Sequence, residues 1–209
     1  MRTLGVWITG AALAVLAANA VAGHESASEL AEQALRECEA GRLLTGRDER
    51  KARFEQGQAL GERAVTLDDN SAAAHFSLFC NMGELMRIDG ESLRSVFALR
   101  RMMAELDRTL ELDPGHVDAM ASKGTLLIRL PRILGGDAVK GEAMLRDVIR
   151  LDPSAFNSRL TLAKTCNDRG DHDEAIAFAT RALQIAKKQG RPDKVAEANT
   201  VLAELRSAR

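Results

Sequence analysis

Four histidines (His24, His75, His116, His172) and three cysteines (Cys38, Cys80, Cys166) are the side chains of this sequence best equipped for metal ligation or nucleophilic chemistry. A zinc-type site needs several such ligands at short spacings that converge on one face. None of the histidines has a second His, Cys or carboxylate so placed, and His172, between Asp171 and Asp173, falls in a turn where a solvated ring is expected. No cysteine pairs with a histidine in a nucleophile pattern. Phosphate loops, dinucleotide-binding glycine patterns and nucleophile elbows are absent from the sequence. Gly135-Gly136-Asp137 is too short to cradle a phosphate, and a turn accounts for it. These residues predict no metal, no cofactor and no catalytic centre, so an enzyme is not expected.

The cysteines lie far apart in apolar helical stretches, where a thiol behaves as a small buried hydrophobe; that is the expected state of all three. The alternative is a Cys38–Cys80 bridge between neighbouring helices, which an exported chain would permit and which leaves one thiol over. Charge is balanced, with 29 Lys and Arg against 30 Asp and Glu, and gives no general attraction to nucleic acid or an anionic membrane. The run from Arg47 to Arg53 mixes signs at helical spacing and reads as a solvated helix face. Arg94, Arg100, Arg101 and Arg108 form a basic stretch diluted by Glu91, Glu105 and Asp107. Met82, Met86, Met102, Met103 and Met120 suit an irregular core, and in second place an adaptable groove.

The first residues read separately. Arg2 precedes an apolar run from Leu4 to Ala18, and small residues follow at Ala20-Val21-Ala22. This order predicts a secretory signal over residues 1–22, cleaved after Ala22 or alternatively after Ala20. The run is short for a membrane span, although retention as an anchor is the other reading. No cysteine follows the small residues to carry a lipid. The mature chain, 23–209, is expected to be exported, to a periplasm in the bacterial manner, with no span of its own.

What remains must be helical. Apolar residues make up 45% of the chain and aromatics 3%, with no Tyr and four prolines, a mix that favours long helices over strands. Helices are expected near 26–44, 49–67, 71–88, 91–112, 116–130, 137–151, 155–169, 172–188 and 192–207. Ser26 with Glu29 and Asp171 with Glu174 have capping-box spacing, and Gly170 and Gly190 stand at helix ends. Leu67-Asp68-Asp69, Leu112-Asp113-Pro114 and Leu151-Asp152-Pro153 each close one helix and open the next.

The stretch from Gly170 to Leu183, with small residues Ala163, Ala175 and Ala182 and the preceding Pro153, resembles the tetratricopeptide repeat family. In the preceding unit Gly124 and Gly141 take small-residue positions, with Leu127, Leu145 and Leu162 filling between helices. Arg159 and Lys123 depart from the pattern by standing at sites that are usually apolar. The unit from Phe156 to Gln189 fits the family period of about 34 residues, whereas the earlier ones are longer. Pro131 to Gly135 is extra in one unit, and another is lengthened around Asp89-Gly90. The segment from Leu130 to Asp137 is similar to inserts in bacterial periplasmic repeat proteins such as the TRAP-transporter T-component. The long second unit and the C-terminal ending look like the regulator of microtubule dynamics family.

The resemblance implies an all-α, right-handed superhelix of about four hairpins. A ninth helix would cap it through Val195, Ala198, Val201, Leu202 and Leu205. It also implies an interaction scaffold that binds a peptide or partner protein on its concave face, at Phe76, Cys80, Thr125, Ile128, Arg129, Leu160, Lys164, Asn167 and Asp168. The insert Pro131–Gly135 is a second candidate surface. The alternative function is a carrier for a small or hydrophobic ligand, held in a pocket lined by Phe76, Phe79, Met82, Leu127 and Ile128. A filled interior would favour the scaffold.

Overall fold

The computed structural model describes residues 25–89 and 93–207. The signal segment and both cleavage positions lie outside them, as does the centre of the lengthening around Gly90. The helices are α1 (Ala27–Leu43), α2 (Arg47–Leu67), α3 (Ala72–Asp89), α4 (Leu93–Leu112), α5 (Val117–Arg129), α6 (Ala138–Leu151), α7 (Phe156–Asp168), α8 (His172–Lys188) and α9 (Pro192–Ser207). A single 3-10 turn, Arg132–Leu134, interrupts the α5–α6 joint, and among the described residues there is no strand. None of the described helices is long and apolar enough to cross a membrane.

Short joints fold successive helices back on one another. Packing is extensive within α1–α2, α3–α4, α5–α6 and α7–α8, and slighter where α4 meets α5 and α6 meets α7. The small residues act as expected. A Cβ on Gly141 would lie 2.6 Å from the carbonyl oxygen of Gly124, and one on Gly124 would lie 2.8 Å from Leu145. Helices α5 and α6 therefore cross almost backbone to backbone, and Leu145 and Val148 fill the space beside the crossing with no exposure. Ala163, Ala175 and Ala182 are likewise fully buried in the layer that joins α7 and α8. Ala198, Val201, Leu202 and Leu205 of α9 cover the open side of that layer, with Val195 packed at its margin. Each large side chain so enclosed contributes roughly 1.5–3 kcal/mol by leaving water.

The first hairpins are built differently. Helix α1 packs on both α2 and α3, so α3 is enclosed on several sides, and every residue from His75 to Met82 is buried. Enclosure brings polar groups inside, and most find partners. Asn81, fully buried, donates from Nδ2 to the Ala34 oxygen (2.8 Å) and the Ser77 oxygen (2.9 Å). His75 sets Nδ1 2.6 Å from Glu105 Oε2 and Nε2 3.1 Å from the Asp69 carbonyl, pinning the α2–α3 joint to α4. Glu84 is buried but accepts from Arg42 Nε at 2.7 Å and Arg87 Nη1 at 2.6 Å.

Three local expectations need correcting. Cys38 and Cys80 form a disulfide between α1 and α3, their Cα atoms 6.3 Å apart, and only Cys166 is a buried free thiol. Ser26 and Glu29 do form a capping box, but Asp171 makes no side-chain cap, because Arg169 Nε holds its carboxylate at 2.6 Å. The Arg47–Arg53 run is not simply solvated: Arg47 donates to the Ile88 carbonyl, Arg50 lies 4.0 Å from Glu84, and Arg53 binds Glu37. Arg159 and Lys123, the two departures from the repeat pattern, are accommodated by polar partners: Arg159 donates to the Ala155 carbonyl, and Lys123 pairs with Asp107. Met82 and Met102 take the core role expected of them.

Candidate functional site

The nine residues expected on the concave face separate into three groups. Phe76, Cys80 and Leu160 are interior. Phe76 belongs to the core formed by α3, α4 and the start of α5, Cys80 is spent in the disulfide, and Leu160 packs in the α7–α9 core. The regular frame placed α3 at the open side of the array, but the enclosure of α3 removes that side. Thr125, Ile128 and Asn167 are half-buried and already engaged. The Thr125 hydroxyl donates to the Ala121 carbonyl, Ile128 packs over Gly141, and Asn167 Oδ1 lies 2.9 Å from His172 Nδ1.

Arg129, Lys164 and Asp168 are exposed. They stand on α5 and α7, which touch one another, and bring two cations and one carboxylate to the surface of these helices. Half-buried Thr161 and Thr165 add short polar side chains to α7. Such a surface can direct a peptide through charge and hydrogen bonding.

Among the described residues the interior holds no cavity lined by the side chains expected of a carrier. Phe76, Phe79 and Met82 pack with Leu99, Met102 and Leu106 into one cluster, Leu127 is buried, and Ile128 is against α6. The two best-defined hollows among the described residues are open and lie elsewhere, one at Gly170–Glu174 and the other against Ala143, Ile149 and Phe178. No group of three or more His, Cys, Asp and Glu among the described residues is arranged to hold a metal ion.

An ionic network that sequence reasoning missed ties the last two full hairpins together. Arg146 of α6 binds Glu142 and Glu174, each at 2.8 Å, while Arg169 binds Glu142 and Asp171. Burial raises the Glu142 carboxyl, but hydrogen bonds from Arg146 and Arg169 outweigh it and hold the group below its ordinary value. The hydrogen bond from Arg146 chiefly holds Glu174 down. Cys166 donates to Glu174 at 3.4 Å, and burial followed by that bond pushes its thiol up to about 11, far from the thiolate a nucleophile needs. The Glu142–Arg146 spacing was readable as a helix pair; its reach across to α8 depends on the fold.

No family model matches the chain, and no curated protein matches it. Solved structures do. TTC0263, a thermophilic TPR protein of Thermus thermophilus, superposes with a TM-score of 0.57 at 19% identity over 83% of this chain and 99% of that one. The crystal structure of MamA gives 0.54 at 16% identity, covering 79% and 81% of the two chains. MamA of Desulfovibrio magneticus RS-1 gives 0.50 at 14%, covering 83% and 97%. At such identities the likeness is one of backbone architecture, and it agrees with the small-residue crossings and the capped end. The chain has the tetratricopeptide-repeat fold.

Proposed function

We propose that the protein is an exported scaffold that holds a peptide or partner protein against the α5–α7 face. The observation that carries this reading is the combination of a filled interior with exposed Arg129, Lys164 and Asp168 on two touching helices. Helices fixed by the Gly124–Gly141 crossing and the Glu142–Arg146–Glu174 network present that face ready-made, so binding requires little reordering. The paired signs favour a partner carrying both an acidic and a basic group, and so fix its direction. The filled core weighs against a ligand carrier.

Export rests on the N-terminal sequence and is supported by the Cys38–Cys80 bridge, since disulfides persist in oxidising compartments. The test is capture by photo-crosslinking from Thr161 in the envelope of the source cell, compared with an Arg129→Ala/Lys164→Ala/Asp168→Ala variant carrying the crosslinker at the same position. Partners held by the face should be lost from the variant while its melting temperature stays unchanged. Retention of every crosslinked partner would refute the assignment. The mass of the processed chain checks cleavage after Ala22 or Ala20.

A further inference from the structure

The insert that lengthens the α5–α6 joint is a built structure with its apolar side chains on the outside. Ile133 is 90% exposed and Leu134 37%, and Val139 in the first turn of α6 is 82% exposed. A floppy loop could tuck these side chains away; this one is held. Leu134 N donates to the Pro131 carbonyl at 2.9 Å, Gly135 N to Arg132 at 3.0 Å and Gly136 N to Pro131 at 3.1 Å. Asp137 N then returns to the Leu127 carbonyl at 2.8 Å, and the Asp137 side chain caps α6 through Lys140 N. A Cβ on Gly136 would stand 1.7 Å from the Leu130 oxygen, so the turn closes only around glycine. These bonds hold the turn and leave an aliphatic tip in water.

Arg129, Arg132 and Lys140 flank the tip, all exposed, and none forms an ion pair among the described residues. The one carboxylate from 129 to 140 is Asp137, occupied with the cap. The chain as a whole is nearly neutral, so the insert and its flanks carry a local excess of positive charge.

We propose that this tip docks on an anionic phospholipid surface, with Ile133, Leu134 and Val139 entering the acyl boundary and Arg129, Arg132 and Lys140 meeting the headgroups. A bilayer accepts a convex aliphatic projection without a matching pocket, and anionic headgroups complement the three cations. A protein partner would have to supply the pocket, and the tip lacks the aromatic anchors that give protein interfaces their energy. The site shares Arg129 with the α5–α7 face, while its aliphatic side chains and its other two cations lie outside that face.

The test places a reporter at the tip of the full chain: Ile133→Trp, with Trp7→Phe to remove the other indole. The control is Asn199→Trp, on exposed α9. Vesicles are phosphatidylcholine with or without phosphatidylglycerol, and brominated acyl chains quench any inserted indole. The tip indole should shift to the blue and be quenched on the phosphatidylglycerol vesicles, with the α9 indole unaffected. Arg129→Gln/Arg132→Gln/Lys140→Gln should weaken that partitioning by roughly a hundredfold, at about fivefold per cation. With the reporter at Val139→Trp instead, Ile133→Ser should weaken it about tenfold or more. Because the reporter is local, an anchored N-terminus cannot imitate the result. A tip indole that stays unquenched on anionic vesicles overturns the proposal, as does protection of the tip by added protein alone.

Discussion

Breaking the Cys38–Cys80 bridge by Cys38→Ala/Cys80→Ala should destabilise the chain substantially. The bridge closes a loop with a sequence separation of 42 and joins two helices that already pack. Loop-closure entropy for that length gives about 4 kcal/mol at 25 °C in the unfolded chain, at the upper end of the usual 2–4. For a chain of this size each kcal/mol moves the melting temperature by roughly 2–4 °C, so a fall of about 8–16 °C is expected. The assay is thermal melting by circular dichroism of the oxidised protein, the same protein under reductant, and the double variant. The last two should melt together. Cys166→Ala serves as control and should leave the reductant effect intact, because that thiol is unpaired. Thiol counting in denaturant without reductant should find one free group. Three free thiols in protein taken from an oxidising compartment, or a double variant that melts within a degree or two of the parent (well inside the worked range), would refute the reasoning.

Two further outcomes follow from the packing and the ionic network. Gly141→Val should cost about 1–3 kcal/mol in urea unfolding, since its side chain must displace the Gly124 carbonyl or Ile128; an unchanged midpoint would show that α5 and α6 are not locked at this crossing. Glu142 and Glu174 have folded values held below the ordinary 4.5, so the unfolded chain binds more protons in that window. Their contribution should be complete above pH 4.5 and be lost as pH falls through the depressed folded values. Glu142→Gln/Glu174→Gln should flatten the acid limb of the stability profile, and an acid limb as steep as the parent's would place the titration elsewhere.

The helices were legible because their signals are local. Leu-Asp-Pro boundaries, the Ser26–Glu29 box and the positive-φ glycines Gly170 (91°) and Gly190 (64°) depend on neighbours in sequence. Small residues such as Gly124, Gly141 and Ala175 were legible for a related reason: each has one use at a helix crossing. The face was less legible. Assigning Phe76, Cys80 and Leu160 to it assumed that each hairpin's first helix keeps a free side, and enclosure of α3 by α1, α2 and α4 is not written in any one segment. The Cys38–Cys80 bridge was named only as the alternative to buried thiols for the same reason, since nothing near Cys38 singles out Cys80. Asp171 was misassigned because the competing Arg169 contact carries more charge than a cap.

Three successive ties on one face of α3 have an effect on how the molecule comes apart. Cys80 is bonded to α1, Asn81 donates to Ala34, and Glu84 accepts from Arg42, so α1 and α3 cannot separate by degrees. Helices α1 and α3, with α2 and α4 packed on them, should open together as one cooperative block. The α7–α9 end, held by small-residue packing and half-exposed ion pairs, can open one helix at a time from the C-terminus. Hydrogen exchange should therefore run as a gradient along the chain, with a plateau over α1–α4 and a slope beginning after α5. A linear array thus acquires an anchored end and a yielding end, and the α5–α7 face sits where the two regimes meet.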